Sequence, residues 1–277
     1  MATKKAASTA KKSTARKTAA KTTKTTKKTV SAAPAKATNV AGHVRSSLQS
    51  TALWRALGAE FIGALLLAGV VIAGQGQPIF VLFALVAIVL IIGGISGAHV
   101  NPAVTIGAWV TRRIGWLRAL GYIIAQVLGA AMAFVIMSAF IGGAAQPSAE
   151  AQLYGQAAPA LFSATELAAV AGKEWFVFFA ELFGVAILGF GMAYVTRAKD
   201  SVAAAFGAGT SIFVALMFAV SAAGFVGASG IINPAVAVAL QAFDWNNLWT
   251  FGVYALAPAI GGIVGFIAYD AIRGKTN

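Results

Sequence analysis

GISGAHVNPAVT, residues Gly94–Thr105, places a histidine, an asparagine and a proline at the end of a long apolar run. A second version, GASGIINPAVA at Gly227–Ala237, follows another apolar run. Proline lacks an N–H and fits the first turn of a helix, where that N–H would be unpaired anyway. Asparagine is a favoured N-cap. The triplets Asn101-Pro102-Ala103 and Asn233-Pro234-Ala235 therefore read as helix starts rather than breaks in longer helices. The segments they open, Asn101–Thr111 and Asn233–Ala242, hold about ten residues each, roughly 15 Å of helix. That is half of a bilayer core about 30 Å thick.

The rest of the chain supplies the bilayer. The 277 residues are 59% hydrophobic and 10% charged, with a mean hydropathy of +0.80. A soluble domain carries about 25% charge. Six apolar segments have the length of a membrane span: Trp54–Gly74, Pro78–Ile95, Leu117–Ile141, Trp175–Thr196, Val202–Phe225 and Leu248–Ile272. The expected class is an all-α membrane protein with six transmembrane helices and two re-entrant half-helices. Cysteine is absent, which excludes disulfides and thiolate metal sites. The two histidines, His43 and His99, are too far apart to suggest a metal centre. No nucleophile–base pair is visible, so neither an enzyme nor a cofactor is expected.

Charge divides the chain in two. Twelve lysines and arginines lie in the first 45 residues, and no acid precedes Glu60. The remainder carries nine basic against eight acidic residues. Residues 1–48, built from Lys, Ala, Thr and Ser, read as a disordered basic cytoplasmic tail, and residues 49–277 as the membrane domain. Such a tail suits an anionic lipid surface, at about 1 kcal/mol per basic residue. It suits nucleic acid through phosphate contacts alone, since no aromatic residue is present to stack on bases. Arg112, Arg113, Arg118, Arg197, Lys199, Arg273 and Lys275 fall on the tail's side of a six-span chain. The loop 142–174 falls on the other side with Glu150, Glu166 and Glu174 against Lys173. The positive-inside rule then puts both termini in the cytoplasm, with a plasma (inner) membrane as the expected location.

The two halves repeat. AEFIGALLLAG at Ala59–Gly69 is echoed by AELFGVAILGF at Ala180–Phe190, and the Asn-Pro-Ala triplet recurs 132 residues on. Repeat one spans 52–141 and repeat two 174–272. Each holds three spans and one half-helix, so the halves insert in opposite orientations, the arrangement that places a site near the midplane. The half-helices then start at mid-membrane from opposite faces, and GISGAHV and GASGII become backbone that must be packed in protein or line a wet cavity.

In these residues the chain resembles the aquaporin and glycerol-facilitator family, the major intrinsic proteins. The resemblance rests on AEFIG at 59–63, SGAHVNPAVT at 96–105, GYIIAQVLGA at 121–130, AELFG at 180–184, NPA at 233–235 and YALAPAIGGIVG at 254–265. It covers residues 50–272. It implies a homotetramer with an hourglass pore in each subunit, passing water or small neutral solutes. Asn101 and Asn233 would then cap the half-helices and donate from their amides to a passing oxygen, while the half-helix ends repel cations. A purely structural capping role is the alternative. Glu60 and Glu181 lie inside apolar spans at matching positions. An intramembrane carboxylate is by default a functional candidate, but the resemblance implies buried acceptors supporting the re-entrant loops. His99 either presents a polar edge to the cytoplasmic mouth or ties its loop down. Gln126 and Gln241 are lesser polar candidates. Trp54, Trp109, Trp116, Trp175, Trp245 and Trp249 read as interfacial anchors.

The chain departs from the family at Val236, where an arginine usually follows the second triplet. Family glycine spacing is displaced too, with Ser229 at the usual position and Gly230 one residue later. Counting from the asparagines by family spacing, the constriction falls on Val81, Ser221, Gly230 and Val236; a one-residue slip would bring in Phe80, Leu82 or Val220. This set is small and mostly apolar, so the expectation is a wide, uncharged constriction. The aspartate common after that arginine in glycerol facilitators is replaced by Ala237, so glycerol is not favoured by motif. A different class of reading is a structural membrane protein that presents the basic tail, with a closed pore.

Overall fold

The computed structural model describes residues 40–274, all within one unit that begins at Val40. Most of the basic tail, and any lipid or nucleic-acid contact it makes, lies outside the described residues. The end of the tail differs from expectation: residues 40–48, read as disordered, form helix α1 (Val40–Leu48). The Trp54 indole N–H donates to the Leu48 carbonyl at 2.8 Å and fixes the elbow into the first span.

Repeat one consists of α2 (Thr51–Ala73), α3 (Pro78–Ser96), the half-helix α4 (Pro102–Val110) and α5 (Trp116–Gly142). A long connection follows, with the short helix α6 (Ala149–Leu153) and a 3₁₀ turn at Leu167–Val170. Repeat two consists of α7 (Glu174–Val195), α8 (Ser201–Gly224), the half-helix α9 (Pro234–Ala239), the single turn α10 (Trp249–Phe251) and α11 (Ala257–Arg273). Among the described residues, six helical spans are long and apolar enough to cross a membrane, the sixth running from Trp249 to Arg273. That last span widens into a π turn at Gly252–Leu256, directly ahead of Pro258. Proline has no N–H to donate, and its ring would crowd the carbonyl four residues back; a widened turn relieves both.

Packing repeats the internal symmetry. Within each half the first span lies against the third, α2 on α5 and α7 on α11. Both pairs close at a glycine. A Cβ on Gly129 would meet the Phe61 carbonyl, and a Cβ on Gly261, the equivalent residue, would meet the Leu182 carbonyl. Without a water-driven hydrophobic force inside lipid, such backbone approach is what holds helices together. Between the halves, α3 packs on α8, and each half-helix crosses to the third span of the other repeat, α4 to α11 and α9 to α5. The crossing brings the two half-helix N-termini into one central junction.

The half-helices are shorter than expected, at nine and six residues. In the second, Gln241 turns into the left-handed region (φ +57°) and its side-chain amide donates to the Val238 carbonyl, ending the helix at Ala239. The six indoles all keep exposed surface, in keeping with interfacial anchoring.

Candidate functional site

The junction is built from two strained turns. Val100 and Ile232, which immediately precede the two asparagines, take φ of +42° and +53°. β-Branched residues avoid that region, and each such outlier costs about 1–3 kcal/mol. The strain is offset by where the backbone then points. The Asn101 amide Nδ2 donates to the Ile232 carbonyl at 2.9 Å, and the Asn233 Nδ2 donates to the Val100 carbonyl at 3.0 Å. Each asparagine therefore clasps the strained residue of the opposite repeat. Each Oδ1 meanwhile caps its own helix, accepting from Ala103 N at 2.8 Å and from Ala235 N at 3.0 Å.

The N–H groups of the same turns go to the two buried glutamates. Glu60 accepts from His99 N (2.9 Å) and Val100 N (2.7 Å), and also from Ser96 Oγ (2.6 Å) and Gln126 Nε2 (2.7 Å). Four donors fill the roughly four acceptor sites of one carboxylate. Among the described residues, Glu181 accepts from Ile231 N and Ile232 N only. The difference follows from sequence: residues in register with Ser96 and Gln126 in repeat two are Ala228 and Pro258, which have no side-chain donor. Tyr122 Oη donates to the Ser96 carbonyl at 2.7 Å, whereas the hydroxyl of its counterpart Tyr254 has no partner among the described residues. Repeat one is thus tied by a buried side-chain network that repeat two lacks. His99 belongs to that network, its Nδ1 lying 3.2 Å from Thr105 Oγ1 and its ring edge-on to Tyr122.

A cavity opens on each side of the junction. The one on the side of the long α5–α7 connection, about 280 Å³, reaches Asn233 and is walled by Val81, Val220, Gly230, Val236 and Phe162. No charged residue lines it among the described residues. Val236 is buried, one turn into the half-helix beside Asn233. Gly230 is held where a Cβ would collide with the Ala219 carbonyl group and Val220 N, so the chain needs its glycine here. Ser229 instead receives the Thr165 N–H at 3.0 Å from the α5–α7 connection. Ser221 is the one expected constriction residue outside the cavity. It is exposed, and Val220 takes its place because Ile212, Leu216, Val220 and Gly224 form the i, i+4 stripe of α8 that faces inward. Phe80 is exposed and outside the lining as well.

The opposite cavity, about 550 Å³, is lined by Ser96, Gly97, His99, Arg113, Thr196 and Lys199, among others. His99 therefore both borders this opening and anchors its loop. Beside it, Asp270 on α11 accepts from Arg113 (2.9 and 3.2 Å) and Arg197 (2.8 Å), and Arg113 Nε donates to Thr196 Oγ1 at 2.9 Å. The Arg113 guanidinium also lies over the Phe266 ring at 4.7 Å. Burial pushes its pKa below the ordinary value, against the opposing pull of Asp270. These bonds join the exit of α4 to the ends of α7 and α11.

Sequence reasoning brought in Val220 only as the one-residue slip from Ser221, and did not bring in Ser96, Tyr122 or Phe162 as site residues. The i+4 spacing from Leu216 was a usable signal for Val220. Phe162 had none, because its position depends on how an irregular connection folds back.

Residues 47–269 match the family model described as "Major intrinsic protein". Aquaporin TIP1-1 of Arabidopsis thaliana is 34% identical over 195 residues, covering 68% of this chain and 67% of that protein. Aquaporin NIP1-2 of Oryza sativa subsp. japonica is 32% identical, covering 68% of this chain and 58% of that protein. Aquaporin AqpM of Methanothermobacter thermautotrophicus is 31% identical, covering 70% and 74%. Among solved structures, the aquaglyceroporin from Plasmodium falciparum superposes with a TM-score of 0.57 at 20% identity, covering 80% of this chain and 97% of that one. The last likeness concerns the fold.

Proposed function

The chain belongs to the major intrinsic protein family, and we propose that it is a passive membrane channel for water and small neutral solutes whose outer constriction is apolar and uncharged. Members of this family are channels, and the chain is not an enzyme. The observation that carries the proposal is Val236: it follows Asn233-Pro234-Ala235 and walls the cavity that reaches Asn233, together with Val81, Val220 and Gly230.

In this reading a solute enters by the uncharged cavity, passes the valine ring and meets the crossed asparagines. One hydrogen of each Nδ2 is used on the opposite repeat, and the second serves the passing oxygen. A ring without donors holds water weakly and favours small solutes with apolar surface; it can also gate by dewetting. Glu60 and Glu181 hold the re-entrant loops in place and stay out of the path. The tail and the Arg113–Asp270–Arg197 side face the cytoplasm of a plasma (inner) membrane, following the excess of basic residues there. The subunits assemble as a homotetramer with one pore each.

Stopped-flow light scattering on proteoliposomes tests the proposal, comparing wild type with Val236→Arg for water, glycerol and urea. The expected result is solute re-swelling in wild type that the arginine suppresses. Wild-type permeability equal to that of empty liposomes for every solute would overturn it.

A further inference from the structure

Val81, Val220, Gly230 and Val236 wall the outer cavity with no large side chain among them. Among the described residues the cavity has one aromatic in its lining, Phe162, and it comes from the α5–α7 connection, outside both repeats. We propose that Phe162 is a size-determining residue of this channel, closing from the side an opening that the valine ring leaves wide. The inference rests on the channel reading above.

Three observations place it. First, the connection is tied to the pore elements themselves. Ala164 N donates at 3.0 Å to the Leu240 carbonyl, one of the carbonyls left over at the end of α9. Thr165 N donates to Ser229 Oγ at 3.0 Å, and Ser229 Oγ donates to Thr165 Oγ1 at 3.2 Å. Ser229 stands where family spacing expects glycine, so the departure at that position has a use: it holds the segment that carries Phe162. Second, the segment is anchored from behind by Leu167 and Val170, both buried in the core. Third, the ring is seated against the α2–α3 turn. A Cβ on Gly76 (φ +69°) would lie 2.8 Å from Phe162 Cζ, so the turn leaves room for the ring and little more.

An aromatic ring fixed on two sides and facing an apolar cavity restricts by size and offers no hydrogen bond. It discriminates on solute cross-section, the property that the missing arginine no longer limits. Shortening the ring therefore changes which solutes pass more than it changes whether the protein folds.

The test uses the full chain in proteoliposomes, with Phe162→Ala and Phe162→Trp, and with water, glycerol and erythritol as probes. Phe162→Ala should raise the erythritol-to-water permeability ratio by roughly tenfold, the scale on which one or two pocket methylenes alter discrimination. Phe162→Trp should lower the glycerol-to-water ratio. Because the native chain has no cysteine, Phe162→Cys gives a version independent of folding: a bulky thiol reagent applied after reconstitution should restore the wild-type cut-off. Wild type that conducts, with all three changes leaving the ratios unaltered, overturns the role of Phe162 alone. Wild type that conducts nothing overturns the channel reading beneath it.

Discussion

Exchanging each buried glutamate for its amide should show that the two repeats are held with unequal strength. In Glu60→Gln, whichever carboxylate oxygen becomes the NH₂ faces two donors. On one side they are Ser96 Oγ and His99 N, and on the other Gln126 Nε2 and Val100 N. The Ser96 hydroxyl can rotate and the Gln126 amide can flip, but the backbone N–H cannot move. One buried N–H is orphaned, at about 1–3 kcal/mol, and the surviving bonds lose charge assistance of about 1 kcal/mol each. In Glu181→Gln one N–H of Ile231 or Ile232 is orphaned and a single bond is weakened. Glu60→Gln should therefore be the more destabilising by about 2 kcal/mol. For a chain of this size that is a gap of about 4–8 °C in Tm. Thermal unfolding in detergent, followed by tryptophan fluorescence, measures it. A Tm for Glu181→Gln equal to or below that of Glu60→Gln would contradict the unequal tethering.

Other substitutions probe neighbouring parts of the same structure. Asn101→Ala and Asn233→Ala each orphan a carbonyl of the opposite repeat and remove a helix cap, so each should cost about 2–4 kcal/mol and abolish solute flux; flux assays and unfolding of the same preparations check this together. Gly129→Ala and Gly261→Ala force a methyl against the Phe61 and Leu182 carbonyls, and each should destabilise by about 1–3 kcal/mol, visible as a lower Tm. Asp270→Ala leaves Arg113 and Arg197 without their shared acceptor; about 1–2 kcal/mol of stability should be lost, read in the same unfolding assay, with the apolar cavity and its solute cut-off unchanged.

Much of this fold was legible because the bilayer makes few patterns viable. Six apolar runs fixed the spans to within a few residues, and the paired Asn-Pro-Ala triplets with matching Glu60 and Glu181 gave the inverted repeat. The asparagines were legible as caps, but their crossed clasp on Val100 and Ile232 was not, because positive φ at a β-branched residue leaves no signature in composition. The four-against-two imbalance in glutamate donors could have been read by aligning Ser96 with Ala228 and Gln126 with Pro258. Ser221 was misplaced through counting from the triplet instead of following the i+4 stripe of α8. Phe162 was out of reach, since its position is set by hydrogen bonds between an irregular connection and residues more than sixty positions away. Helix α1 was missed because the charge-rich composition of the tail was extended past the point where Val40, Val44 and Leu48 begin to recur at helical spacing.

Whether solutes pass Val236 is decided most directly by placing a single thiol there. The native chain has no cysteine, so Val236→Cys carries the sole reactive site, and Val214→Cys on the exposed face of α8 serves as control. Both would be reconstituted and assayed for solute flux before and after a thiol-specific reagent. Block of flux in Val236→Cys, with Val214→Cys labelled yet unaffected, is the expected result. Full labelling at position 236 with flux undiminished would mean that the conduction path lies elsewhere.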